Sequence, residues 1–337
     1  MRKGLIRWLA GLLMLPLLAS LGALWWLQHP LDTGAGQPTL ELSIEPGTSP
    51  KAVAQAVVDA GTRTSATALY AWFRLSGQDR QIRAGSYEIP PGTTPRRLLS
   101  MLVRGEESLR ALTLVEGWSW RQLRQALARA EQLKPDSQAL SDEALMARLG
   151  RPGVAPEGRF FPDTYSYAKN SSDLKLLARA LKAMDRQLQK AWAARHPGIA
   201  LRSADEALTL ASIVEKETGK GSDRAMISSV FHNRLRIGML LQTDPTVIYG
   251  LGEAFDGNLK RIHLRTDTPW NTYTRAGLPP TPIAMPGKAA LLAAVQPASS
   301  QALYFVARGD GSSHFSNSLD EHNRAVNRYQ RGQKVSD

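Results

Sequence analysis

Residues 203–218 read SADEALTLASIVEKET and carry two glutamates, Glu215 and Glu217, into the last turn of an apolar helix. The helix opens as a capping box. Ser203 can accept from the backbone three residues on, and Glu206 can reach back. Ala207, Leu208, Leu210, Ala211, Ile213 and Val214 then cover most of its circumference, the pattern of a buried helix. At about 100° per residue, Asp205, Thr209 and Lys216 share a polar strip. Glu215 projects beside Leu208, Ala211 and Ser212, and Glu217 to roughly the opposite side, near Leu210 and Ile213. The two acids therefore cannot serve one site. A carboxyl held among apolar neighbours has a raised pKa, which suits a general acid. The alternative is that both acids are solvated at a fraying helix end.

The elements that must position this helix follow in chain order. Residues 39–44 alternate as a short strand, and helices are expected over 49–60 and 67–75. Gly85 to Pro90 reads as a strand, and 94–103 as a helix opened by Pro95 and closed by Gly105. Strand, helix, helix, strand, helix within so short a span is a small α+β module over 39–108. The main domain is placed at 109–337. It begins with a strand over 109–115 and a helix over 119–130, followed by a shorter helix over 141–149. The run EGRFFPDTY, 157–165, reads as a loop held by packed aromatics. A long amphipathic helix over 173–196 buries Leu174, Leu177, Leu181, Met184 and Leu188. Another helix runs over 223–237. Its His232 has no paired ligand spacing and is assigned a structural role. Leu240 to Tyr249 starts apolar and breaks at Asp244-Pro245, as a strand end or loop does. Residues 265–287 are too polar and too rich in proline for a core element. With Trp270, Asn271 and Tyr273 they form a loop suited to lining a site, since aromatics and amides match the faces and edges of sugars. A helix over 288–295, a hairpin turning at Gly309-Asp310-Gly311, and a C-terminal helix capped by Ser318 and Glu321 complete the chain.

Composition narrows the partners. The chain has 337 residues and a net charge of +12, with a pI near 10.1, which favours anionic partners. It has no zinc-finger spacing, no aromatic RNA-binding run and no dense basic block, so nucleic acid is not expected. There is no cysteine, which excludes disulfides and thiolate metal sites, and no metal or cofactor is expected. Arg2, Lys3 and Arg7 precede an uncharged run from Trp8 to Leu27, with Trp25 and Trp26 at its far end. This reads as an anchor over 8–28 with residues 1–7 in the cytoplasm, a Pro/Gly-rich tether over 29–38, and the remainder outside the membrane. Small residues at 19–23 leave signal cleavage as the alternative.

No phosphate-binding glycine loop, HExxH or G-x-S-x-G is present, which argues against a nucleotide enzyme, a zinc protease and an α/β hydrolase. An acid on a buried helix, facing polar and aromatic loops, fits glycosidic cleavage. Ordinary glycosidases use two carboxyls, and a second could come from Glu157, Asp163 or Asp244.

Several long motifs, in order, are similar to those of the endolytic murein transglycosylases, or YceG-like proteins. They are GSYEIPPG (85–92), VEGWS (115–119), EGRFFPDTY (157–165), LASIVEKET (210–218), LQTDPTVIYG (241–250), TPWNTYTRAGLPPTPIAMPG (268–287) and SHFSNSLDEHN (313–323). Trp270 stands where tyrosine is more usual. The resemblance covers nearly the whole chain. It implies an α+β fold with an N-terminal transmembrane helix, a LysM-like module and a mixed α/β catalytic domain, and it implies that Glu215 is catalytic. The implied reaction cuts the β-1,4 bond between N-acetylmuramic acid and N-acetylglucosamine within nascent peptidoglycan strands, leaving a 1,6-anhydro end. Because the muramyl C6 hydroxyl is the nucleophile, one carboxyl could act as acid and then as base. Motif position and residue chemistry assign Gln242, Asp244, Asn271 and Tyr273 as sugar-binding or orienting groups, and Glu217 to a structural role. The resemblance further implies single-pass attachment to the cytoplasmic (inner) membrane, a catalytic domain on its periplasmic side, and strand termination beside peptidoglycan synthases of the penicillin-binding type. The competing readings are a muramidase-type hydrolase, with Asp244 activating water, and a non-catalytic wall-binding scaffold.

Overall fold

The computed structural model describes residues 18–33 and 39–332, and the chain divides into two compact units. The first comprises the residues up to 110 together with 166–171; the second comprises 111–165 and the residues from 172 onward.

In the first unit, β1 (Leu40–Ile44) pairs antiparallel with β2 (Gly85–Ile89), setting Leu40 opposite Ile89 and Leu42 opposite Tyr87. The alternation in β1 sends Leu40, Leu42 and Ile44 to one buried face. Helices α1 (Pro50–Asp59), α2 (Ala66–Leu75) and α3 (Pro95–Arg104) contribute Val53, Val57, Leu69, Phe73, Leu98 and Leu102 to the same core. Ser49, Ser65 and Thr94 cap the three helices by accepting from a backbone N–H. Residues 166–171 bring in Lys169, whose ammonium lies 2.6 Å from both Glu41 and Glu88. The strand and helix order is the one the sequence predicts.

β3 (Leu109–Thr113) pairs with β4 (Thr164–Ala168). The second unit adds α4 (Trp120–Arg129), α5 (Asp142–Arg148), α6 (Asp173–Ala193) and α7 (Ala204–Glu217). It continues with α8 (Arg224–Arg236), α9 (Asp244–Leu251), α10 (Arg261–Arg265) and α11 (Lys288–Val295). The hairpin of β5 (Tyr304–Ala307) and β6 (Ser313–Ser316) and the helix α12 (Leu319–Val326) follow. Helix α7 is the axis of this unit. Every residue from Ala207 to Val214 is buried, and α6, α8, α9 and α11 all pack on it. The all-round apolar pattern read from the sequence has this cause: each side of α7 has a neighbour.

Three local readings change. Ser203 caps α7 as expected, but Glu206 accepts from the backbone of Arg202 rather than from that of Ser203. Along α6, Leu174 is only half-buried, and Leu176, Leu177 and Ala180 carry that part of the stripe. Asp244-Pro245 opens α9 instead of ending a strand. Proline is preorganised for a first helical turn, and an aspartate there complements the helix dipole.

Residues 18–28 are helical and expose Leu18, Leu21, Leu24 and Trp25. Among the described residues no helix is long and apolar enough to cross a membrane. Residues 8–17 of the expected anchor, the segment 1–7 and residues 34–38 of the tether lie outside the described residues.

Leu208 is fully buried in the core around α7. Leu208→Ala is expected to cost about 2–5 kcal/mol, from lost transfer energy and the cavity left behind. Urea titration would show it as a lowered midpoint with an unchanged slope.

Candidate active site

Three motifs distant in sequence converge at the C-terminal end of α7. The 115–119 segment and the 283–287 loop bond to each other: Gly117 N–H donates to Met285 C=O at 2.9 Å, and Met285 N–H donates to Trp118 C=O at 2.7 Å. The loop is tied to α7 itself by Ile283 N–H, which donates to Ser212 Oγ at 3.0 Å. Ser212 is fully buried and donates onward to Thr209 C=O. These bonds bring Gly287 N–H to 2.8 Å from Glu215 Oε2. Arg224, at the start of α8, lies 3.6 Å from Glu215 Oε1.

The Glu215 side chain is only 7% exposed. Burial raises its pKa above the ordinary glutamate value; the Gly287 N–H opposes this, the nearby Glu116 adds to it, and Arg224 and Lys216 oppose it. Its place in the last turn of a helix, where the dipole disfavours negative charge, acts in the same direction as burial. Glu215 is thus a carboxyl biased toward its protonated form while held in one orientation.

A cleft of about 630 Å³ is lined by Gly117 and by Lys216, the residue after Glu215, and walled by Trp120, Ile248, Tyr249, Phe255 and Trp270; the Glu215 and Glu217 side chains do not line it. Glu157 also lines this cleft, but its carboxyl is committed. Both oxygens accept from Trp120 N–H at 3.0 Å, at the start of α4, and the Tyr249 hydroxyl bonds to it as well. Burial pushes its pKa up to about 7 despite these bonds. Gly158 beside it has φ +77°, and a Cβ there would stand 2.4 Å from Pro282, so the close approach of this loop to 282–284 requires glycine. A larger cavity, of about 940 Å³, lies toward the N-terminal end of α7 beside Arg159 and Asp205, and neither Glu215 nor Glu217 lines it.

Glu217 turns to a different polar cluster, as the helix geometry predicts. Its carboxyl accepts from the Thr243 hydroxyl. Burial pushes it up to about 7, with Asp244 adding to the shift and Arg234 opposing it. Asp244 accepts from the Tyr273 hydroxyl at 2.6 Å. Gln242 is exposed at φ +49°, an uncommon conformation for a residue with a side chain, and its N–H donates to Thr272 C=O. Gln242, Asp244 and Tyr273 are therefore gathered together, on the Glu217 side. Of its two expected roles, the geometry of Asn271 suits orienting rather than direct sugar binding. It is fully buried, and its amide donates to the carbonyls of His263, Leu264 and Thr266 while its oxygen accepts from Tyr273 N–H. It fastens the loop from inside and presents no group to a sugar. Asp163 accepts from its own neighbour Thr164. His232 is buried, accepting at Nδ1 from Ala200 N–H and donating from Nε2 to Ala294 C=O, a structural role. The aromatic wall of Trp120, Tyr249 and Phe255 and the acid Glu116 were not singled out by sequence reasoning. The VEGWS motif carried the signal for Glu116, but only folding places it opposite α7. Among the described residues no group of side chains is arranged to hold a metal ion.

The Glu217 cluster gives a pH prediction. A glutamate whose folded pKa is raised from 4.5 to about 7 binds its proton more tightly when folded. Its contribution therefore favours folding at low pH and is lost as pH rises from about 4.5 to 7. The loss should be roughly 1–3 kcal/mol. Glu217→Gln keeps an acceptor for Thr243 and should flatten this part of the stability profile, measured by denaturant titration across that range.

Comparison with known proteins agrees with the motif pattern. The YceG-like family model matches residues 42–328. An endolytic murein transglycosylase of Bacillus subtilis is 30% identical over 320 residues, covering 90% of this chain and 88% of the relative. A Streptococcus pneumoniae protein of the same name is 29% identical, and the match covers 73% of this chain but 50% of that longer protein. A solved YceG-like protein of Listeria monocytogenes aligns with a TM-score of 0.52 at 27% identity, over 86% of this chain and 99% of that one. The chain belongs to the YceG-like family.

Proposed function

We propose that this chain is a lytic transglycosylase that cleaves peptidoglycan glycan strands, with Glu215 as its acid. The observation that carries the reading is the Glu215 carboxyl: enclosed, oriented by Gly287 N–H, and adjacent in α7 to Lys216, which lines an aromatic-walled cleft. The name borne by the bacillar and streptococcal relatives supports the same activity.

The bond cut is the β-1,4 linkage between N-acetylmuramic acid and N-acetylglucosamine. Trp120, Tyr249, Phe255 and Trp270 offer faces on which sugar rings stack. Lys216 and Arg121, also on the cleft wall, suit the carboxylates of the peptide stems. Protonated Glu215 donates to the leaving oxygen, the C1–O bond breaks, and the muramyl C6 hydroxyl closes on C1. The C6 proton leaves to a carboxylate and no water is consumed. This accounts for a site without an evident water-activating acid on the Glu217 side: Asp244, the hydrolase candidate, is bonded to Tyr273 and acts on Glu217.

The finer reading follows the family. The substrate is the nascent strand, and cleavage within it ends its growth, beside peptidoglycan synthases of the penicillin-binding type. The first unit serves as a LysM-like module. The exposed leucines at 18–24 belong to an anchor in the cytoplasmic membrane, with both units on its periplasmic side. The net charge of +12 suits an anionic membrane surface and an anionic polymer.

The test is digestion of purified peptidoglycan followed by mass analysis. Products lighter by one water than hydrolytic fragments are expected, and Glu215→Gln should lower the rate by about 10²–10⁴-fold. The wild-type rate should fall as pH rises through the raised pKa of Glu215, because the protonated form acts. Hydrated products would establish a hydrolase, and an undiminished Glu215→Gln rate would remove Glu215 from the chemistry.

A further inference from the structure

A groove of about 310 Å³ lies between the β5–β6 hairpin and helix α12, lined by His314, Glu321, Arg324, Ala325, Arg328 and Tyr329. It shares no residue with the aromatic-walled cleft. Glu321, Arg324, Ala325 and Arg328 recur at spacings of three and four, so one face of α12 and of the turn that continues it forms the floor. That turn, Asn327–Arg331, is π-helical, a rare form found frequently at functional sites. The hairpin supplies the opposite wall through His314.

Tyr329 gathers the basic groups. Arg328 lies 5.4 Å from the centre of its ring and Arg308 5.7 Å, and the His314 ring sits 5.5 Å away. Arg308 also meets His314 Nδ1 at 3.3 Å. With these groups packed on it, the ring is no open platform for a sugar. Arg324 adds a guanidinium one helical turn before Arg328, and both are exposed. Like charges at that spacing repel, and neither arginine has a carboxylate partner among the described residues. The one acid on the wall, Glu321, is committed to the start of α12: it accepts from Asn317 N–H at 2.9 Å and from Ser318 N–H at 3.4 Å. The positive field is felt by the neighbouring His322, whose pKa is lowered first by burial and then by Arg234 and His314.

We propose that this groove binds a phosphate group, carried by a lipid headgroup or present as a free phosphate, with Arg324 and Arg328 as its principal ligands and His314 and Tyr329 completing the site. The inference does not rest on the transglycosylase reading. An oxyanion supplies the charge that the two arginines lack, and the guanidinium fork matches phosphate oxygens in pairs. Donors come from two elements, the helix face and the hairpin, and so approach from two sides. A tetrahedral phosphate accepts on several sides at once, whereas a planar carboxylate is served along one edge by a single fork. The packing of Arg308 and Arg328 on Tyr329 holds the cations together before the anion arrives.

The experiment is calorimetric titration of the full chain in neutral detergent, at constant ionic strength, with inorganic phosphate, glycerophosphoglycerol (a phospholipid headgroup without its acyl chains) and acetate. Saturable binding of a phosphate compound is expected, and the double variant Arg324→Gln/Arg328→Gln should weaken it about tenfold or more. Arg129→Gln/Arg148→Gln removes the same charge from exposed positions outside the groove and should leave it unchanged. Tighter binding of the diester assigns a lipid headgroup, and tighter binding of inorganic phosphate assigns a free phosphate; both uphold the site. If the Gln pair melts early, Arg324→Lys/Arg328→Lys decides: it keeps the charge and loses the forks, and should weaken binding several-fold. The inference is overturned if neither phosphate compound binds saturably or if acetate binds as tightly. It is equally overturned if the control pair weakens binding as much as the groove pair, or if the folded groove variants stay within about twofold of wild type.

Discussion

The enclosure of α7 is the constraint on which the second unit depends. A helix covered on all sides must end somewhere, and its last turn carries two acids into a region with little water. Burial and the helix dipole both disfavour charge there. The structure offsets this cost with single, well-placed groups: one backbone N–H and a nearby guanidinium for Glu215, and one hydroxyl and a more distant cation for Glu217. The compensation is partial, so both acids keep raised pKa values. The loops around α7 are shaped by the need to bring those groups in. Ser212 illustrates the economy of the arrangement. One buried hydroxyl on α7 satisfies the helix behind it and the Ile283 N–H in front, and so sets the register of the loop that ends at Gly287.

What could be read from sequence follows from how local the cause is. The capped helices of the first unit, the strand alternation over 40–44, the hairpin at 309–311 and the acid-bearing buried helix all have causes within a few residues, and each was legible. The divergence of Glu215 and Glu217 was legible too, because it needs only the helical period. Asp244-Pro245 was misread because the same dipeptide suits a turn and a first helical turn, and the difference lies in the packing of Val247 and Thr246 behind it. For Asn271 the sequence leaves sugar binding and orienting both open, because an amide in a polar loop looks available until the fold wraps three carbonyls around it. The meeting of Glu116 with Gly287 spans more than half of the chain, and no period or spacing encodes it.

Raised pKa values alone do not identify the acting acid. Burial raises Glu157 and Glu217 to about 7 and also raises Glu215. Glu157 has both oxygens engaged at the start of α4, where it serves the helix terminus. Glu217 faces Thr243, Asp244 and Arg234, a cluster that ties the end of α7 to the start of α9. Glu215 differs from both in its restraint. One carboxyl edge is fixed by backbone, and a solvated carboxylate lies against the same glycine.

That glycine shows how backbone can set chemistry. At Gly287 the absence of a side chain lets two carboxyls approach one peptide unit, one through the N–H and the other across Cα. A hydrogen bond from the N–H favours the ionised form of Glu215, while the neighbouring negative charge disfavours it. The balance can therefore be moved by the neighbour without disturbing the bond. A carboxyl held this way is oriented by a group that is backbone and does not itself titrate.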